Sequence, residues 1–294
     1  STQYDYDGDN NLIALTDALG NVTRYVYDSR SRLIEEVDAL GHSTFYQYDG
    51  ANNLLSVTDR NGNTTSYEYD QLNRLIKTID PLGGIVTTNY DQVDNVVAVI
   101  DELNRTTSYS YDKRDRLIAT TNPLADSLTY SYDNVGNLLT FSDELNRTTS
   151  YGYDALNRQI TISDPLGYLT NYVYDSVNNL VATTDALSRT TNYVYDPLNR
   201  LVTNINPLGD RITLDYNEVS NLIGVTDELG RVTSYVYDRR NLQTAIIDPL
   251  GNTITTDYDQ VGNVVAVTDG VGNVTSYIYD PLYRQVAMIY GRVD

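Results

Sequence analysis

A 21-residue repeat runs through this chain without an insertion or a deletion. At residues 65–76, Thr-Ser-Tyr-Glu-Tyr-Asp precedes a polar link, and Asn-Arg-Leu-Ile follows that link. The second Tyr, here Tyr69, recurs every 21 residues from Tyr6 to Tyr279, and fourteen such repeats make up all 294 residues. A period of this size is the signature of a repeat array. We therefore predict one continuous array over residues 1–294, without a separate domain.

Each repeat reads as two short strands. The first alternates with a period of two, as in Thr107–Tyr111, so that Thr and Tyr share one face. The second, as in Val96–Ile100, is apolar on both faces in several repeats. This predicts that other parts of the protein cover both faces of some second strands. Asp, Asn and Gly in the links cap their own backbone or accept a positive φ. We expect an all-β fold, a long antiparallel meander of hairpins, with a parallel β-solenoid as the alternative.

A second period lies inside the first. Five residues after the motif Tyr, odd-numbered repeats carry Asn and even-numbered repeats carry Arg, with Leu242 as the exception. The building block is therefore 42 residues long, and the alternation spaces like charges along the array. An Arg at this position is also placed to stack on a motif Tyr or to pair with a motif Asp.

The repeat resembles the YD repeat, also called the Rhs repeat, over the whole chain. The shared pattern is Tyr-x-Tyr-Asp, then Asn or Gly and Arg or Asn before Leu, then Asp-x-Leu-Gly and Thr. The family includes bacterial Rhs proteins, the C components of insecticidal toxin complexes, and animal teneurins. The resemblance implies antiparallel hairpins that coil into a hollow or tubular β-sheet. In the toxins of this family the shell encloses a C-terminal effector, and we find no such effector or its preceding core region in this sequence.

The composition of the chain argues against several classes of partner and site. The net charge is −20, with 40 acidic and 20 basic residues, which argues against a nucleic-acid partner. Most of the acid lies at two fixed repeat positions, so it belongs to turns. There is no Cys, hence no disulfide or thiolate site, and no apolar run approaches the roughly 20 residues of a membrane span. The 28 Tyr predict a half-wet sheet face, with rings packed and hydroxyls reaching water.

No residue stands out as a site, and we predict no catalytic, cofactor-binding or metal residue. Asp5, Asp7 and Asp9 echo the start of a calcium loop, but Thr16 stands where its Glu belongs. Loose Ca²⁺ binding to surface rows of Asp is the only cofactor we expect. His42 is the single histidine and lies in a turn. The Asn-x-Thr triplets at Asn21, Asn63, Asn104, Asn146 and Asn273 are possible glycan acceptors, although the turn alone accounts for them.

These observations favour a structural protein over an enzyme. Our first hypothesis is an extracellular or cell-surface filament or tube, bacterial and secreted, that self-assembles. It rests on the strict spacing, on the absence of capping repeats, and on ends that are in phase, since Ser1 would continue the 21-residue frame after Asp294. The alternative is a wall segment of an Rhs-type shell with an enclosed effector. A third possibility is an adhesin or a carbohydrate-binding repeat that uses exposed Tyr.

Overall fold

The computed structural model describes residues 1–292 and contains 28 strands in that range. The strands of the first seven repeats are β1 (Thr2–Tyr6), β2 (Leu12–Thr16), β3 (Val22–Tyr27), β4 (Leu33–Val37), β5 (Ser43–Tyr48), β6 (Leu54–Thr58), β7 (Thr64–Tyr69), β8 (Leu75–Ile79), β9 (Ile85–Tyr90), β10 (Val96–Ile100), β11 (Thr106–Tyr111), β12 (Leu117–Thr121), β13 (Ser127–Tyr132) and β14 (Leu138–Ser142). The strands of the last seven are β15 (Thr148–Tyr153), β16 (Gln159–Ser163), β17 (Leu169–Tyr174), β18 (Leu180–Thr184), β19 (Thr190–Tyr195), β20 (Leu201–Ile205), β21 (Arg211–Tyr216), β22 (Leu222–Thr226), β23 (Val232–Tyr237), β24 (Gln243–Ile247), β25 (Thr253–Tyr258), β26 (Val264–Thr268), β27 (Val274–Tyr279) and β28 (Gln285–Tyr290). The sequence predicts that Ser1 would continue the 21-residue frame after Asp294. Asp294 lies outside the residues that the structure describes, so this stays a prediction.

The strands pair with their sequence neighbours inside two compact units. The first unit comprises residues 7–13 and 22–169, and β3 to β16 form successive pairs in it. The second comprises residues 1–6, residues 14–21 and the chain from residue 170 onward; in it β17 to β28 form successive pairs. The prediction of a single array without separate domains stays a prediction.

The first and last strands also pair, within the second unit. Thr2 lies opposite Met288 and Gln3 opposite Ala287, in antiparallel orientation. This register is the one found between consecutive repeats, so β28 meets β1 as one repeat meets the next. Every described pair is antiparallel. The predicted all-β class of antiparallel hairpins is therefore confirmed, and the parallel β-solenoid is wrong.

Both links of a repeat fold into the same five-residue turn. We call the link inside a repeat the Tyr turn, as at residues 70–74, and the link between repeats the Leu turn, as at residues 80–84. In the Tyr turn the N–H of Asn73 donates to the Asp70 carbonyl (3.0 Å). In the Leu turn the N–H of Gly83 donates to the Asp80 carbonyl at the same distance (3.0 Å). The fourth residue has a positive φ, 62° at Asn73 and 86° at Gly83. The three central residues of the turn therefore form the common three-residue hairpin loop, whose last residue is left-handed. The Asp, Asn and Gly of the links predict such a turn.

A β-bulge accompanies the motif Tyr in each described hairpin that contains a Tyr turn. In the hairpin β7–β8, Glu68 lies opposite Lys77, but Tyr69 lies opposite Leu75. Ile76 is therefore the extra residue of the second strand. A bulge interrupts the ladder and bends the strand that carries it.

The ladder between repeats is short. In β6–β7 it contains three residue pairs next to the Leu turn and stops at Ser56 opposite Ser66. Leu54 and Tyr69, at the Tyr-turn ends of these strands, lie beyond it. Side chains must therefore join neighbouring repeats at the Tyr-turn end.

The prediction that some second strands are covered on both sides is wrong. Among residues 1–292, no apolar side chain is buried, and all of β10, the most apolar strand, is only partly buried. The accessible surface is 18568 Å² for 33.0 kDa. A compact monomer of this mass exposes about 12,500 Å². Burial thus comes from neighbouring strands and turns rather than from a second layer.

Candidate functional site: the contacts between repeats

The first residue of each turn organises the loop through its side chain. Oδ1 of Asp112 accepts the N–H groups of Arg114 (2.8 Å) and Arg116 (3.2 Å), and its Oδ2 accepts Nε of Arg116 (2.8 Å). The hydrogen bond from the Arg116 side chain is the main cause that lowers the pKa of Asp112 from 3.8 to about 2. Where the first residue is Asn it accepts the same two backbone bonds, at Asn122, Asn206 and Asn217. The turn therefore needs a short side-chain acceptor, and a carboxylate adds the ion pair.

The Arg of an even-numbered repeat connects its own turn to the next repeat. Nε of Arg74 donates to Oδ2 of Asp70 (2.7 Å). Its Nη1 donates across the gap to the backbone carbonyl of Asp91 (3.1 Å) and to Oδ1 of Asp94 (2.7 Å). The guanidinium also lies 4.6 Å from the ring centre of Tyr90. Both predicted roles of this Arg, stacking on a Tyr and pairing with an Asp, are confirmed, and the partner Tyr belongs to the following repeat.

The Asn of an odd-numbered repeat makes a shorter version of the same connection. Nδ2 of Asn53 donates to Oδ2 of Asp49 (2.8 Å) and to Oδ1 of Asn73 in the next repeat (2.8 Å). Asn and Arg therefore bridge the same two places, their own Asp and the left-handed residue of the next Tyr turn. Only the longer Arg also reaches a backbone carbonyl and a Tyr ring. The 42-residue period is thus a period of contacts as well as of charge.

The motif Tyr forms a third link between repeats. The hydroxyl of Tyr69 donates to the carbonyl of Leu54 (3.0 Å), which lies in the preceding repeat beyond the end of the strand ladder. Equivalent bonds of 2.9–3.0 Å run from Tyr27, Tyr90, Tyr111, Tyr132, Tyr153, Tyr195, Tyr216, Tyr258 and Tyr279. The composition predicts that Tyr hydroxyls reach water, whereas these ten hydroxyls donate to backbone carbonyls. The bond explains why the second Tyr is constant while the first is replaced at Thr88, Leu214 and Thr256.

The exception Leu242 is compensated within its own turn. Arg240, two residues earlier, donates from Nε to Oδ2 of Asp238 (2.9 Å) and from Nη1 to the carbonyl of Asp259 in the next repeat (2.6 Å). These partners correspond to those that Arg74 uses at the usual position. The periodicity showed Leu242 as an exception but not that Arg240 takes over its contacts, although the order Arg-Asn-Leu here, against Leu-Asn-Arg at residues 72–74, is the signal for it.

The residues considered for metal binding lie in turns, except Asp5. Oδ1 of Asp7 accepts the N–H groups of Asp9 (2.9 Å) and Asn11 (2.8 Å), while Asp5 lies within β1. His42 lies in a Leu turn with Nδ1 3.3 Å from Oδ2 of Asp38. Within residues 1–292, no group of three or more His, Asp or Glu side chains is placed to hold a metal ion, and none of the described segments is a helix suited to crossing a membrane. Loose Ca²⁺ binding stays a prediction.

The five Asn-x-Thr triplets fall into two structural classes. In the first class Nδ2 donates to the Asp that opens the turn, at 2.7 Å for Asn21, 2.9 Å for Asn63 and 2.7 Å for Asn273. Asn104 and Asn146 form the second class: they are the left-handed fourth residues of their Leu turns, with φ of 59° and 58°, and they are exposed. The side-chain nitrogen thus donates a hydrogen bond within the turn in the first class but not in the second.

Two protein families match the sequence. The family described as RHS Repeat matches residues 6–43 and 48–85. The family described as Teneurin YD-shell matches residues 84–288, more than two thirds of the chain. No curated protein matches the sequence.

One solved structure shares the fold at low sequence identity, and a second matches more weakly. The crystal structure of TcdB2-TccC3-Cdc42 matches with a TM-score of 0.60 and 16% identity, over 98% of this chain and 19% of that one. A structure of the Tc holotoxin pore of Photorhabdus luminescens matches with a TM-score of 0.45 and 19% identity, over 98% of this chain and 18% of that one. The chain thus spans about a fifth of the structures that it resembles. Together with the repeat contacts, the family matches show that this chain belongs to the YD-repeat family, also called the Rhs-repeat family, and specifically to its Teneurin YD-shell group.

Proposed function

We propose that this chain is non-catalytic wall material of an Rhs-type shell that separates an enclosed space from the medium. The observation that carries the proposal is that links between repeats replace a packed core in both compact units of the 28 described strands. At about 4.8 Å per strand the repeats provide roughly 135 Å of sheet width. An open sheet of that width is far beyond the usual range, so coiling or closure is expected.

The family supports the container role and a place outside the cell. The Teneurin YD-shell match covers most of the chain, and the TcdB2-TccC3-Cdc42 structure contains the same fold within a larger assembly. By analogy, the partner of this wall is an enclosed effector polypeptide. The repetition of identical turn chemistry around the chain also favours structure over catalysis, because a reactive acid–base pair is a local exception.

A filament or tube is the second candidate, and it would use the contacts of β28 with β1 between copies instead of within one chain. These strands meet in the register of consecutive repeats, and a hydrogen bond from the Tyr6 hydroxyl to the Gln285 carbonyl (3.3 Å) repeats the usual link. If the same contacts formed between two copies, the copies would add head to tail. Such a heterologous interface gives a ring when the rotation closes and an open filament when it does not.

One engineered disulfide separates the two candidates. The chain has no Cys, so Gln3→Cys with Ala287→Cys introduces a single pair at opposing positions. Antiparallel partners are about 4.5–5.5 Å apart at Cα, within the range of a disulfide. Under non-reducing electrophoresis, an intramolecular disulfide with a monomeric band supports the closed wall. A ladder of covalent multimers contradicts closure and supports the filament. The double variant Gln3→Ser with Ala287→Ser controls for the substitutions.

A further inference from the structure

One carboxylate interrupts an otherwise uncharged row on the sheet face that carries the Tyr side chains, which we call the Tyr face. In the hairpin β3–β4 the residue opposite the first Tyr, Tyr25, is Glu36. In every other hairpin of this kind whose register is described, the residue at this position is uncharged: Val57, Thr78, Val99, Thr120, Phe141, Ile162, Thr183, Asn204, Val225, Ile246, Val267 and Met288. The repeat explains the regular positions, so this exception requires an explanation of its own.

Two Tyr side chains flank Glu36 on the Tyr face, all within the first compact unit. Tyr25 lies directly opposite Glu36 in β3, and Thr44 lies opposite it in β5, which puts Tyr46 on the adjacent diagonal. Direct neighbours have Cβ atoms about 4.5–5.5 Å apart, and diagonal neighbours are about 7–8 Å apart, within reach of an aromatic ring. Burial raises the pKa of both phenols, and the charge of Glu36 raises the pKa of each further. The carboxylate therefore lies close to both Tyr side chains.

The Glu36 carboxylate is open to a ligand. In the part of the chain that the structure describes, it accepts no hydrogen bond and forms no ion pair. Its oxygens are accessible from solution, since no buried side-chain oxygen in that part lacks a hydrogen bond. The preceding residue, Glu35, lies on the opposite face and accepts a hydrogen bond from the Ser43 hydroxyl (2.6 Å). The nearby Arg32 is engaged with Asp28 (2.6 Å).

The chain itself shows what a carboxylate beside a Tyr ring binds. Nη2 of Arg32 lies 2.6 Å from Oδ2 of Asp28, and its guanidinium carbon lies 4.8 Å from the ring centre of Tyr48. The same arrangement recurs around Arg74, Arg116 and Arg200. A guanidinium suits both partners, because its planar fork matches a carboxylate and its flat face stacks on an aromatic ring. Glu36 and its two Tyr neighbours offer these partners without a guanidinium.

We propose that Glu36, Tyr25 and Tyr46 form a binding site for a guanidinium group from another molecule, namely an Arg side chain of a bound polypeptide. The carboxylate accepts N–H groups of the guanidinium, and the Tyr rings contact its faces. The net charge of −20 attracts a cationic segment to the chain. Ca²⁺ fits less well, because it takes about six to eight oxygen ligands and this site has one carboxylate. The site does not depend on whether the array closes into a wall.

The test is an NMR titration of the full chain, with isotope-labelled Tyr rings, against N-acetyl-arginine methylamide at low ionic strength. We expect saturable shifts of the Tyr25 and Tyr46 signals, which Tyr25→Phe and Tyr46→Phe assign. Binding should be roughly tenfold weaker in Glu36→Gln, which loses a charge-assisted hydrogen bond. Glu35→Gln is the matched control, because it removes the same charge on the opposite face and should bind like the parent. N-acetyl-lysine methylamide should bind several-fold more weakly, since an ammonium lacks the planar fork.

A second variant moves the site by one repeat. Val57 lies opposite Tyr46 and Thr65, with Tyr67 on the diagonal. Val57→Glu in the Glu36→Gln background therefore places a carboxylate between Tyr46 and Tyr67. Binding should return, with the shifted signals now those of Tyr46 and Tyr67. Thermal melts check the folding of each variant, and Glu36→Gln should melt like the parent because no hydrogen bond within the chain is lost.

Three results would overturn the proposal. Unshifted Tyr25 and Tyr46 signals in the parent would mean that no guanidinium binds between them. Equal weakening in Glu35→Gln and Glu36→Gln would reduce the effect to general attraction by an acidic chain. A lysine derivative that binds as tightly as the arginine derivative would leave a site for any cation and remove the preference for guanidinium.

Discussion

The guanidinium carbon of Arg284 lies 4.7 Å from the centre of the Tyr6 ring, although these residues stand near opposite ends of the sequence. The contact has the same geometry as that of Arg32 with Tyr48 in the following repeat, at 4.8 Å. An Arg therefore recognises the motif Tyr of whichever repeat comes next in space. It follows that the links between repeats are interchangeable.

The hydroxyl of the motif Tyr should contribute measurably to stability. In Tyr90→Phe the bond to the Leu75 carbonyl is lost, while the ring under Arg74 remains. We expect a loss of about 1 kcal/mol in the free energy of unfolding, or roughly 2 °C in Tm for a chain of this size. The matched control is Tyr109→Phe, at the first Tyr of a pair, which makes no such bond. Equal Tm values for the two variants would contradict the role assigned to the hydroxyl.

Exchanging Arg240 and Leu242 should preserve the link between repeats. Arg240→Leu alone removes the bonds to Asp238 and to the Asp259 carbonyl, and for a side chain 42% exposed this costs about 0.5 kcal/mol. The double variant Arg240→Leu with Leu242→Arg restores the order Leu-Asn-Arg of residues 72–74 and should regain the loss. Urea midpoints of the parent, both single variants and the double variant give the coupling energy. A purely additive cycle would show that the two positions do not substitute for each other.

Acid should destabilise the fold through the turn aspartates. The hydrogen bond from Arg116 holds the folded pKa of Asp112 at about 2, below the 3.8 of the free side chain. The unfolded chain therefore takes up the proton first as pH falls. The stability from this group is complete above pH 3.8 and is lost as the pH drops through about 2. Thermal melts between pH 6 and pH 2 should show this fall, and Asp112→Asn, which keeps the Oδ1 acceptor, should reduce it only by the share of this one group, because the pKa values of other turn aspartates such as Asp28 and Asp70 are also lowered. An unchanged profile in the variant would assign the acid sensitivity to other groups.

Glycosylation should distinguish the two classes of Asn-x-Thr. On secretion from a eukaryotic host, we expect glycans at Asn104 and Asn146 and little at Asn21, Asn63 and Asn273. The second group donates its amide hydrogens to the turn Asp, so modification there would cost a hydrogen bond. Site occupancy is measured by peptide mass spectrometry, with Asn104→Gln as the control for assignment. Equal occupancy at all five sites would mean that this bond does not protect the amide.

The sequence by itself determined the periodic part of the protein. The 21-residue spacing, the alternation of Thr and Tyr, and Asp with Asn or Gly in the links were sufficient for antiparallel hairpins and for their turns. These features are local, because a turn and its two strands lie within about 20 residues. The alternation of Asn and Arg was equally visible, and an Arg such as Arg74 was correctly expected on Tyr and Asp.

Only the tertiary structure decided what each repeat meets. The bulge at Ile76 and the short ladder between repeats place the Tyr69 hydroxyl on the Leu54 carbonyl, which no spacing reveals. The apolar strand β10 suggested cover on two sides, yet burial depends on whether a second layer is present, and no apolar side chain in residues 1–292 is buried. Partners distant in sequence, such as Arg284 and Tyr6, follow from strand pairing. Sequence periodicity specifies which groups are available, and the register of neighbouring strands specifies which of them come together.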